Sequence, residues 1–579
     1  MKKSGDDAQV VDCNSLFRHV KVGVTNAQNK IFFEKPFDFR GGFDGGAMIE
    51  LAKNEYEAAQ LVLFSERSEI VTISVNDLRL SDSDTAIVSA DNLDINVVAH
   101  VNLVEAKVPK ESRPGWYPDP LLNNQPVELR PKRPQAFLIT VYAPPATVSG
   151  EYWSEIIVAT SAGHELRIPL RVEVWDFELP KVSRFKTTVL ADWTTPDDMW
   201  PKAMGYPKPT DEVRKQHMLR LADLGFHNRL PPTAYLANGL MSWNWKGEGD
   251  TRLGYPTHDK GKFNAGRTLE LIRYMLDKGA NHFFVGLTSD IYEIEKLTAF
   301  REAALRRYLK DYREFLQAHD LLGMAYIYGV DEPWGDAVER ARRTYTFVRD
   351  NGGQGIRFLQ NTNQDNGRII GELLGFFDAL DINLGWYEKI ELHDYRKSHP
   401  KAMAEVWWNV NFWPDSHPNL FLEYPLTDAR IIGPMSYKFD IQGFEYWDVL
   451  AKTGIDNYYP LPPDELYVDW QVDKNSLDGT LVYPGENYEI YSSLRYESLR
   501  DGFEDLEYLY LLESLDPDHP LLDVPIVTSI DDFATDPEVI LAFRREVAKA
   551  IIKNQSSKAL TTEDTEITEK RLLNFQKLN

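Results

Sequence analysis

The stretch Met324-Ala-Tyr-Ile-Tyr-Gly-Val-Asp-Glu-Pro-Trp334 decides how the rest of the chain is interpreted. A short run of β-forming residues ends in two adjacent carboxylates, Asp331 and Glu332, and Pro333 then ends the strand. Because the residue before a proline is pushed toward extended conformations, we predict an extended backbone at Glu332.

Side chains alternate along a strand, so one face of this strand carries Ala325, Ile327, Gly329 and Asp331. We predict that this face, with its small residues, points into a crowded barrel interior and that Glu332 lies at the rim. Acidic groups at the C-terminal end of a parallel barrel strand are where enzymes of that fold perform their chemistry. The alternative is that the two acids only cap the helix that follows.

Composition limits the number of domains and the kinds of partner. The chain has 579 residues, of which 43% are hydrophobic, so we expect two or three domains with ample cores. Its formal net charge of −25 argues against nucleic acid and anionic membrane surfaces as partners. No stretch approaches a run of about 18 apolar residues, so we predict no membrane span. The chain is expected to be a monomer or a homodimer.

Cofactor chemistry finds little support in the sequence. Cys13 is the only cysteine, which excludes intrachain disulfides, a cysteine-based zinc cluster and a thioredoxin-type site. His393 and His399 show no metal-ligand spacing, and the P-loop, GxGxxG, HExxH, EF-hand and GxSxG motifs are absent. We therefore predict neither a metal nor a cofactor.

Residues 1–16 are predicted to be a flexible N-terminal tail. They contain no apolar segment of the kind that a signal peptide needs. They also resemble the polar tether that remains when an export signal has been removed. Export to the periplasm or cell surface is therefore favoured over a cytoplasmic location.

Residues 17–180 show short alternating runs separated by turn residues, with almost no helical periodicity. This spacing predicts an all-β domain, a β-sandwich. Within it, residues 113–122 are rich in proline and aromatic residues and are predicted to form an irregular loop.

Residues 181–515 alternate strand and helix signals, which predicts a catalytic (β/α)8 barrel of the TIM type and hence a multi-domain α/β plus all-β protein. The eight predicted strands are 186–193, 226–231, 282–286, 324–331, 356–361, 379–384, 404–410 and 442–448. Helices are predicted at 211–224, 266–278, 298–319, 336–350, 428–439 and 494–514.

The end of the chain is predicted to be helical in two places. The charges of the last barrel helix are expected to lie on a solvated face: Arg495, Glu497, Arg500, Asp501, Glu504, Asp505 and Glu507.

Residues 516–579 are predicted to be a partly helical C-terminal extension, with a helix near 537–553 and a mobile tail.

Aromatic and polar side chains collect at the predicted strand ends. Flat apolar rings beside hydrogen-bonding groups are surfaces on which sugar rings stack, so we predict a carbohydrate substrate. For each tryptophan taken alone, core packing is the alternative. The predicted substrate-binding residues are Trp334, Asn361, Asp381, Trp407, Trp408, Asn409, Tyr446 and Trp447.

Two adjacent acids suit one variant of glycoside hydrolysis better than the others. Most glycosidases place two carboxylates across the scissile bond, about 5–9 Å apart, whereas neighbours in sequence suit catalysis assisted by the substrate's own 2-acetamido oxygen. Glu332 would then be the general acid and base, and Asp331 would orient the acetamido N–H. The neighbouring charge would also help to keep Glu332 protonated near neutral pH.

The ordered set of motifs resembles glycoside hydrolase family 123, the β-N-acetylgalactosaminidases, and its related uncharacterised barrel domains. The motifs are Asn54-Glu-Tyr-Glu-Ala-Ala-Gln-Leu-Val-Leu63, Gly115-Trp-Tyr-Pro-Asp-Pro-Leu121, Gly329-Val-Asp-Glu-Pro333, Glu405-Val-Trp-Trp408, Ile441-Gln-Gly-Phe-Glu-Tyr-Trp447, Leu481-Val-Tyr-Pro-Gly485 and Arg495-Tyr-Glu-Ser-Leu-Arg-Asp-Gly-Phe-Glu-Asp-Leu-Glu-Tyr508. The resemblance implies retaining, metal-independent hydrolysis of β-linked N-acetylgalactosamine in glycans through an oxazolinium intermediate, with Asp331 and Glu332 in the roles given above. Asn409 stands where the family often has tyrosine, which bears on the choice of sugar.

Two other functions remain open at this stage. One is a carbohydrate-binding protein without turnover. The other is a glycosidase for sugars without the 2-acetamido group, in which Asp381 or Asp448 would be a separate nucleophile.

Overall fold

The computed structural model describes residues 19–33, 39–43, 45–83, 85, 87–103, 113–189, 207–233, 268–285, 294–362, 373, 376–387, 405–411, 416–450, 467–472, 477–485 and 488–576. The predicted N-terminal tail, Cys13, His393 and His399 lie outside these ranges. The chain divides into two compact units. The first comprises the chain up to His100 together with Leu121–Glu178, and the second comprises Val101–Pro120 together with the chain from Leu179 onward.

The first unit contains two largely antiparallel sheets. In chain order, its strands and those that it shares with Val101–Pro120 are β1 (Val20–Asn26), β2 (Gly42–Phe43), β3 (Ala47–Lys53), β4 (Glu55–Ser65), β5 (Glu69–Val75), β6 (Leu78–Leu80), β7 (Ile87–Val88), β8 (Leu93–Leu103), β9 (Gly115–Asn123), β10 (Val127–Leu129), β11 (Gln135–Ala143), β12 (Gly150–Thr160) and β13 (Glu165–Glu178). One sheet has the order β2-β1-β4-β11-β8, and the other has the order β10-β5-β12-β13-β3, in which β13 and β3 are parallel. The alternating burial along β5 and β13 gives each strand one core-facing side.

The strand β9 contradicts the irregular loop predicted for residues 113–122. Its prolines suggested a loop, but Tyr117, Leu121 and Leu122 are buried, and this apolar burial favours an extended strand despite the missing N–H donors.

The second unit is built on a seven-stranded parallel sheet. Its strands are β14 (Lys186–Val189), β15 (Phe283–Phe284), β16 (Ala325–Tyr328), β17 (Arg357–Thr362), β18 (Ala379–Asn383), β19 (Glu405–Asn409) and β20 (Gly443–Tyr446), in the order β14-β20-β19-β18-β17-β16-β15. These match seven of the eight predicted strands. Three further short strands are β21 (Tyr467–Val472), β22 (Tyr483–Pro484) and β23 (Ile490–Ser493).

The second predicted strand, residues 226–231, is wrong. Helical structure continues to His227, Arg229 adopts a left-handed φ of +54°, and two prolines at 231 and 232 remove ladder donors. The segment 229–233 nevertheless lies beside β14, because the Val189 N–H donates to the Pro231 carbonyl oxygen at 3.3 Å.

In the part of the second unit that the structure describes, the α-helices are α1 (Asp211–His227), α2 (Thr268–Lys278), α3 (Ala299–Ala318), α4 (Asp336–Asp350), α5 (Leu426–Lys438), α6 (Leu494–Leu515) and α7 (Pro537–Gln576). The first six confirm the predicted helices to within a few residues. The last is longer than predicted and includes the segment after residue 553 for which a mobile tail was predicted. None of the described helices is long and apolar enough to cross a membrane.

The interior of the parallel sheet is aromatic, which corrects the predicted strand face. Tyr326 packs with Phe284, Leu359, Ala379 and Trp407 in one buried cluster, and Tyr328 lies against it. Tyr326 and Tyr328 therefore face inward, and the residues that alternate with them face the helices. Small neighbours make room for the rings, since a Cβ added at Gly443 would lie 2.3 Å from the Trp407 ring.

The charges of α6 are buried rather than solvated, which corrects the prediction for that helix. All seven predicted surface charges are less than 9% exposed. Six of them form ion pairs with one another or with charged groups on other elements of the second unit, and Glu507 accepts a hydrogen bond from Ser183. Arg430 on α5 bonds Asp505 at 2.7 Å and Asp501 at 3.4 Å, and Arg544 on α7 lies 3.0 Å from Asp505.

Candidate active site

The turn after β16 is held by side chains of β17. The Val330 N–H donates to Oε1 of Gln360 at 3.1 Å, and the Glu332 N–H donates to Oδ1 of Asn361 at 2.8 Å. A Cβ at Gly329 would lie 2.3 Å from the same Gln360 oxygen, so a larger residue there would displace the side chain that holds the turn. The backbone that presents the two acids is therefore fixed from the adjacent strand.

The backbone of Glu332 has a φ of +40°. This overturns the extended conformation predicted for a residue before proline. A left-handed φ costs a residue with a side chain roughly 1 kcal/mol or more, and such outliers cluster at functional sites. The hydrogen bond from Glu332 N–H to Asn361 is the contact that stabilises this conformation.

Asp331 and Glu332 both have exposed side chains at the C-terminal end of β16. Oδ1 of Asp331 accepts a 2.7 Å hydrogen bond from Nδ2 of Asn361. One amide side chain therefore holds the carboxylate of the first acid and the backbone of the second. A ligand can reach both acids from solvent.

Behind Asp331 lies a buried polar network that spans five neighbouring strands, β16 to β20. Asn361 Nδ2 also donates to the Tyr328 hydroxyl at 2.9 Å, and that hydroxyl donates to Oε1 of Glu445 at 3.0 Å. Nδ2 of Asn409 donates to Oδ2 of Asp381 at 2.7 Å. The network therefore places two further carboxyl groups, Asp381 and Glu445, next to the exposed pair.

Burial changes the protonation of this network. It raises the pKa of Asp381 well above its usual range, and the negative charge of Glu445 raises it further. Burial also raises the pKa of Glu445, although hydrogen bonds from Asp381 and Tyr328 oppose that shift. The pKa of Tyr328 rises for the same reason, with added effects of the charges on Glu445 and Asp331. Tyr328 is therefore a neutral hydroxyl donor.

Three of the predicted substrate-binding aromatics are in the core. Trp407 is fully buried against Phe284 and Tyr326, and Trp408 faces α5, where its Nε1 donates to Oγ of Ser436 at 3.0 Å. Tyr446 is also fully buried. The prediction that these three side chains bind the sugar is wrong, because their rings are buried and pack against the two faces of the parallel sheet.

Trp334 and Trp447 remain accessible. Trp334 is 72% exposed and lies two residues after Glu332. Trp447 is half-buried, its Nε1 donates to Oδ1 of Asp478 at 2.9 Å, and a Cβ at Gly479 would lie 2.3 Å from its ring. These contacts fix the Trp447 ring at the end of β20.

Asp448, one of the two alternative nucleophiles, is engaged by its own backbone. Its Oδ1 accepts the N–H groups of Val449 at 2.7 Å and Leu450 at 2.8 Å. This is a turn-stabilising arrangement. Within the described ranges, no group of three or more His, Cys, Asp or Glu side chains is arranged to hold a metal ion.

Comparison with known families decides what kind of site this is. Residues 286–512 match the family model described as "Glycoside hydrolase 123, catalytic domain". The matched range covers less than half of the chain, and within it the chain is similar to glycoside hydrolase family 123. The matched range includes Asp331, Glu332, Asn361, Asp381 and Glu445, so the site described above lies within a glycoside hydrolase domain, whose substrates are carbohydrates.

Solved structures support the same fold. A family 123 glycoside hydrolase from Clostridium perfringens, described in work on glycolipid glycan hydrolysis, is 13% identical and has a TM-score of 0.64. The match covers 94% of this chain and 100% of that chain. A Bacteroides ovatus GH5 xyloglucanase (10% identity, 72% of this chain, 96% of that chain) has a TM-score of only 0.23, too low to bear on the fold. A search of curated proteins finds no match.

The matched range contains two residues of the candidate site that the sequence did not single out, Tyr328 and Glu445. Tyr328 was missed because the wrong face of β16 was taken as the interior. Glu445 had a visible signal, since a glutamate flanked by Phe444 and Tyr446 inside a predicted strand is unusual on an apolar surface. Asn409, which departs from the family's tyrosine, contacts Asp381.

Proposed function

We propose that this chain is a retaining glycoside hydrolase that cleaves a β-linked N-acetylhexosamine, in particular N-acetylgalactosamine, with the substrate's acetamido oxygen as the nucleophile. The observation that carries the proposal is the arrangement of Asp331 and Glu332, adjacent, exposed and held by Asn361 at the C-terminal end of a parallel strand. Two acids joined by one peptide bond suit this variant, whereas a separate nucleophile requires an acid on another strand.

The first step forms one bond and breaks another. The acetamido oxygen attacks the anomeric carbon while the glycosidic C–O bond breaks, and the Glu332 carboxyl group gives its proton to the leaving oxygen. Asp331 accepts a hydrogen bond from the acetamido N–H and stabilises the positive charge of the oxazolinium ring. Asn361 holds Asp331 in the orientation for that contact.

The second step returns the enzyme to its starting state. The Glu332 carboxylate takes a proton from a water molecule, whose oxygen attacks the anomeric carbon from the side that the leaving group vacated. The bond between that carbon and the acetamido oxygen breaks, and the configuration is retained. Trp334 and Trp447 are the aromatic side chains positioned to contact the sugar or its aglycone.

We also propose that the parallel sheet is a closed eight-membered barrel. The segment 229–233 supports this, because it lies against β14 and the Thr233 hydroxyl donates to Oγ1 of Thr188 at 2.8 Å. The same hydroxyl lies 3.2 Å from Nε2 of His282, directly before β15. The segment therefore contacts residues of both edges of the seven-stranded sheet in the place where an eighth strand would stand.

The proposed function is tested with chromogenic β-GalNAc, β-GlcNAc and β-Gal substrates and a thiazoline analogue of the intermediate. Wild-type enzyme should cleave an N-acetylated substrate only and be inhibited by the thiazoline, and Asp331→Asn should lose most of its activity. Cleavage of the plain galactoside by an active Asp331→Asn variant would instead show a separate nucleophile. Sugar binding without any turnover would show a carbohydrate-binding protein.

A further inference from the structure

The mechanism above leaves two buried carboxyl groups without a role. Asp381 on β18 is fully buried and Glu445 on β20 is 3% exposed, and the two side chains interact. Their described neighbours are one amide, one hydroxyl and two other acids rather than cations: Asn409, Tyr328, Asp331 and Glu332. Two such carboxylates side by side cannot both be charged at low cost.

The hydrogen bonds show where a proton would lie. The Tyr328 hydroxyl accepts from Asn361 and gives its single proton to Oε1 of Glu445, so that oxygen is an acceptor and carries no proton of its own. Oδ2 of Asp381 accepts from Asn409, and Oδ1 of Asp381 has no hydrogen-bond donor among the described residues. A proton on Oδ1 of Asp381, donated to Glu445, satisfies both groups.

We propose that Asp381 and Glu445 share one proton, and that this singly charged pair holds Asp331 in its working orientation through Tyr328 and Asn361. The second half rests on the proposed function, because it takes Asp331 as the group that orients the acetamido N–H. Asp381, Glu445 and Tyr328 are positioning residues in this account, since none of them needs to touch the reacting atoms.

The order of contacts explains why the pair affects Asp331. The Tyr328 hydroxyl donates its only proton to Glu445. Its oxygen can therefore accept one Nδ2 hydrogen of Asn361. The other Nδ2 hydrogen is then directed at Asp331, and Oδ1 of the same amide holds the Glu332 N–H. If Glu445 were neutral, the tyrosine proton would lose its strongest acceptor and the amide would lose its fixed direction.

The charge part of the proposal is tested by thermal unfolding as a function of pH with Asp381→Asn. The asparagine Nδ2 supplies the hydrogen bond to Glu445 permanently. An acid whose pKa is raised on folding loses stability as pH rises above its unfolded value of about 3.9. Wild type should therefore lose the contribution of Asp381 across that window, and the variant, which keeps only Glu445, should lose less. The Tm of the variant minus that of wild type should rise by on the order of 2 °C between pH 4.5 and pH 8. A constant difference would overturn proton sharing.

The positioning part is tested with Tyr328→Phe, which removes the hydroxyl between Glu445 and Asn361. We expect kcat on an N-acetyl substrate to fall on the order of 10²-fold with KM changed less than about threefold, because misorientation acts on the reaction step. The matched control is Tyr142→Phe, whose hydroxyl donates to Oδ1 of Asn54 at 2.9 Å in the first unit and whose kcat should be unchanged.

The outcomes separate this inference from the proposed function. If wild type cleaves no N-acetylhexosaminide, the proposed function fails and the positioning of Asp331 fails with it, while the pH dependence of unfolding still decides whether the proton is shared. If wild type is active but Tyr328→Phe keeps wild-type kcat, the positioning role is refuted and the proposed function stands.

Discussion

Nδ2 of Asn361 donates a 2.7 Å hydrogen bond to Oδ1 of Asp331, and this single contact sets the direction of the carboxylate that would face a bound sugar. Asn361→Asp keeps the oxygen that accepts the Glu332 N–H but replaces the donor with a second negative charge. We expect kcat to fall on the order of 10²-fold, measured with a chromogenic N-acetyl substrate. Asn96→Asp, whose Nδ2 contacts the Leu122 carbonyl oxygen at 3.4 Å in the first unit, is the control and should retain activity.

Glu332→Gln removes the proton donor while preserving shape. The rate with a poor leaving group should fall roughly 10²–10⁴-fold, since that departure needs protonation. A dinitrophenyl leaving group needs no proton, so the first step should be far less affected with that substrate. Equal losses for both leaving groups would exclude Glu332 as the general acid.

Arg430→Met tests the buried charges between α5 and α6. Its guanidinium bonds two oxygens of Asp505 at 2.7 and 3.0 Å, and its removal leaves Asp501 and Asp505 short of a buried partner. We expect the free energy of unfolding to fall by about 3–5 kcal/mol in a denaturant titration. Arg307→Met, which breaks a half-exposed 3.8 Å pair on α3, should cost about 1 kcal/mol or less.

Gly502→Ala tests how closely α5 and α6 cross. The added Cβ would lie 2.2 Å from the Arg430 carbonyl oxygen, and backbone atoms there cannot move aside without separating the helices. Alanine favours a helix by about 1 kcal/mol over glycine, but we expect the clash to outweigh this and lower stability by about 1–3 kcal/mol. Gly323→Ala has nothing within 4 Å of the new Cβ and is the control.

Glu497 should make stability depend on pH at the acidic end. Burial alone would raise its pKa, but Arg500 and His227 lower it to about 2. A carboxyl group with a lowered folded pKa stabilises the protein above its unfolded value of about 4.3, and this stability is lost as pH falls toward 2. Glu497→Gln should therefore lower Tm at pH 7, and the difference from wild type should shrink between pH 4 and pH 2. A difference that stays constant through that range would contradict the assignment.

Local sequence patterns were sufficient for most helices and strands of the second unit. Seven parallel strands and six helices follow from short apolar runs and helical spacing, because propensity and packing agree there. Local patterns failed at residues 226–231, where apolar residues followed by Pro231 and Pro232 predict a strand but form no ladder. Only tertiary contacts to β14 show what that segment does.

Predictions of side-chain direction were less successful, for a physical reason. Alternation along β16 allows either face to be inward, and the choice depends on whether neighbouring strands leave room, as Gly443 does for Trp407.

The burial of the α6 charges could not be predicted because their partners Arg430 and Arg544 lie about 65 residues before and 50 residues after the helix start. Long-range pairs of this kind leave no local pattern.

The most direct test of acetamido participation is the rate with substrates whose N-acetyl group carries zero, one, two or three fluorine atoms. Fluorine withdraws electrons from the attacking oxygen, so the account predicts that kcat/KM falls steeply with each added fluorine while the leaving group stays the same. A rate that does not change across the series would show that the acetamido oxygen is not the nucleophile, and would contradict the roles assigned to Asp331 and Glu332.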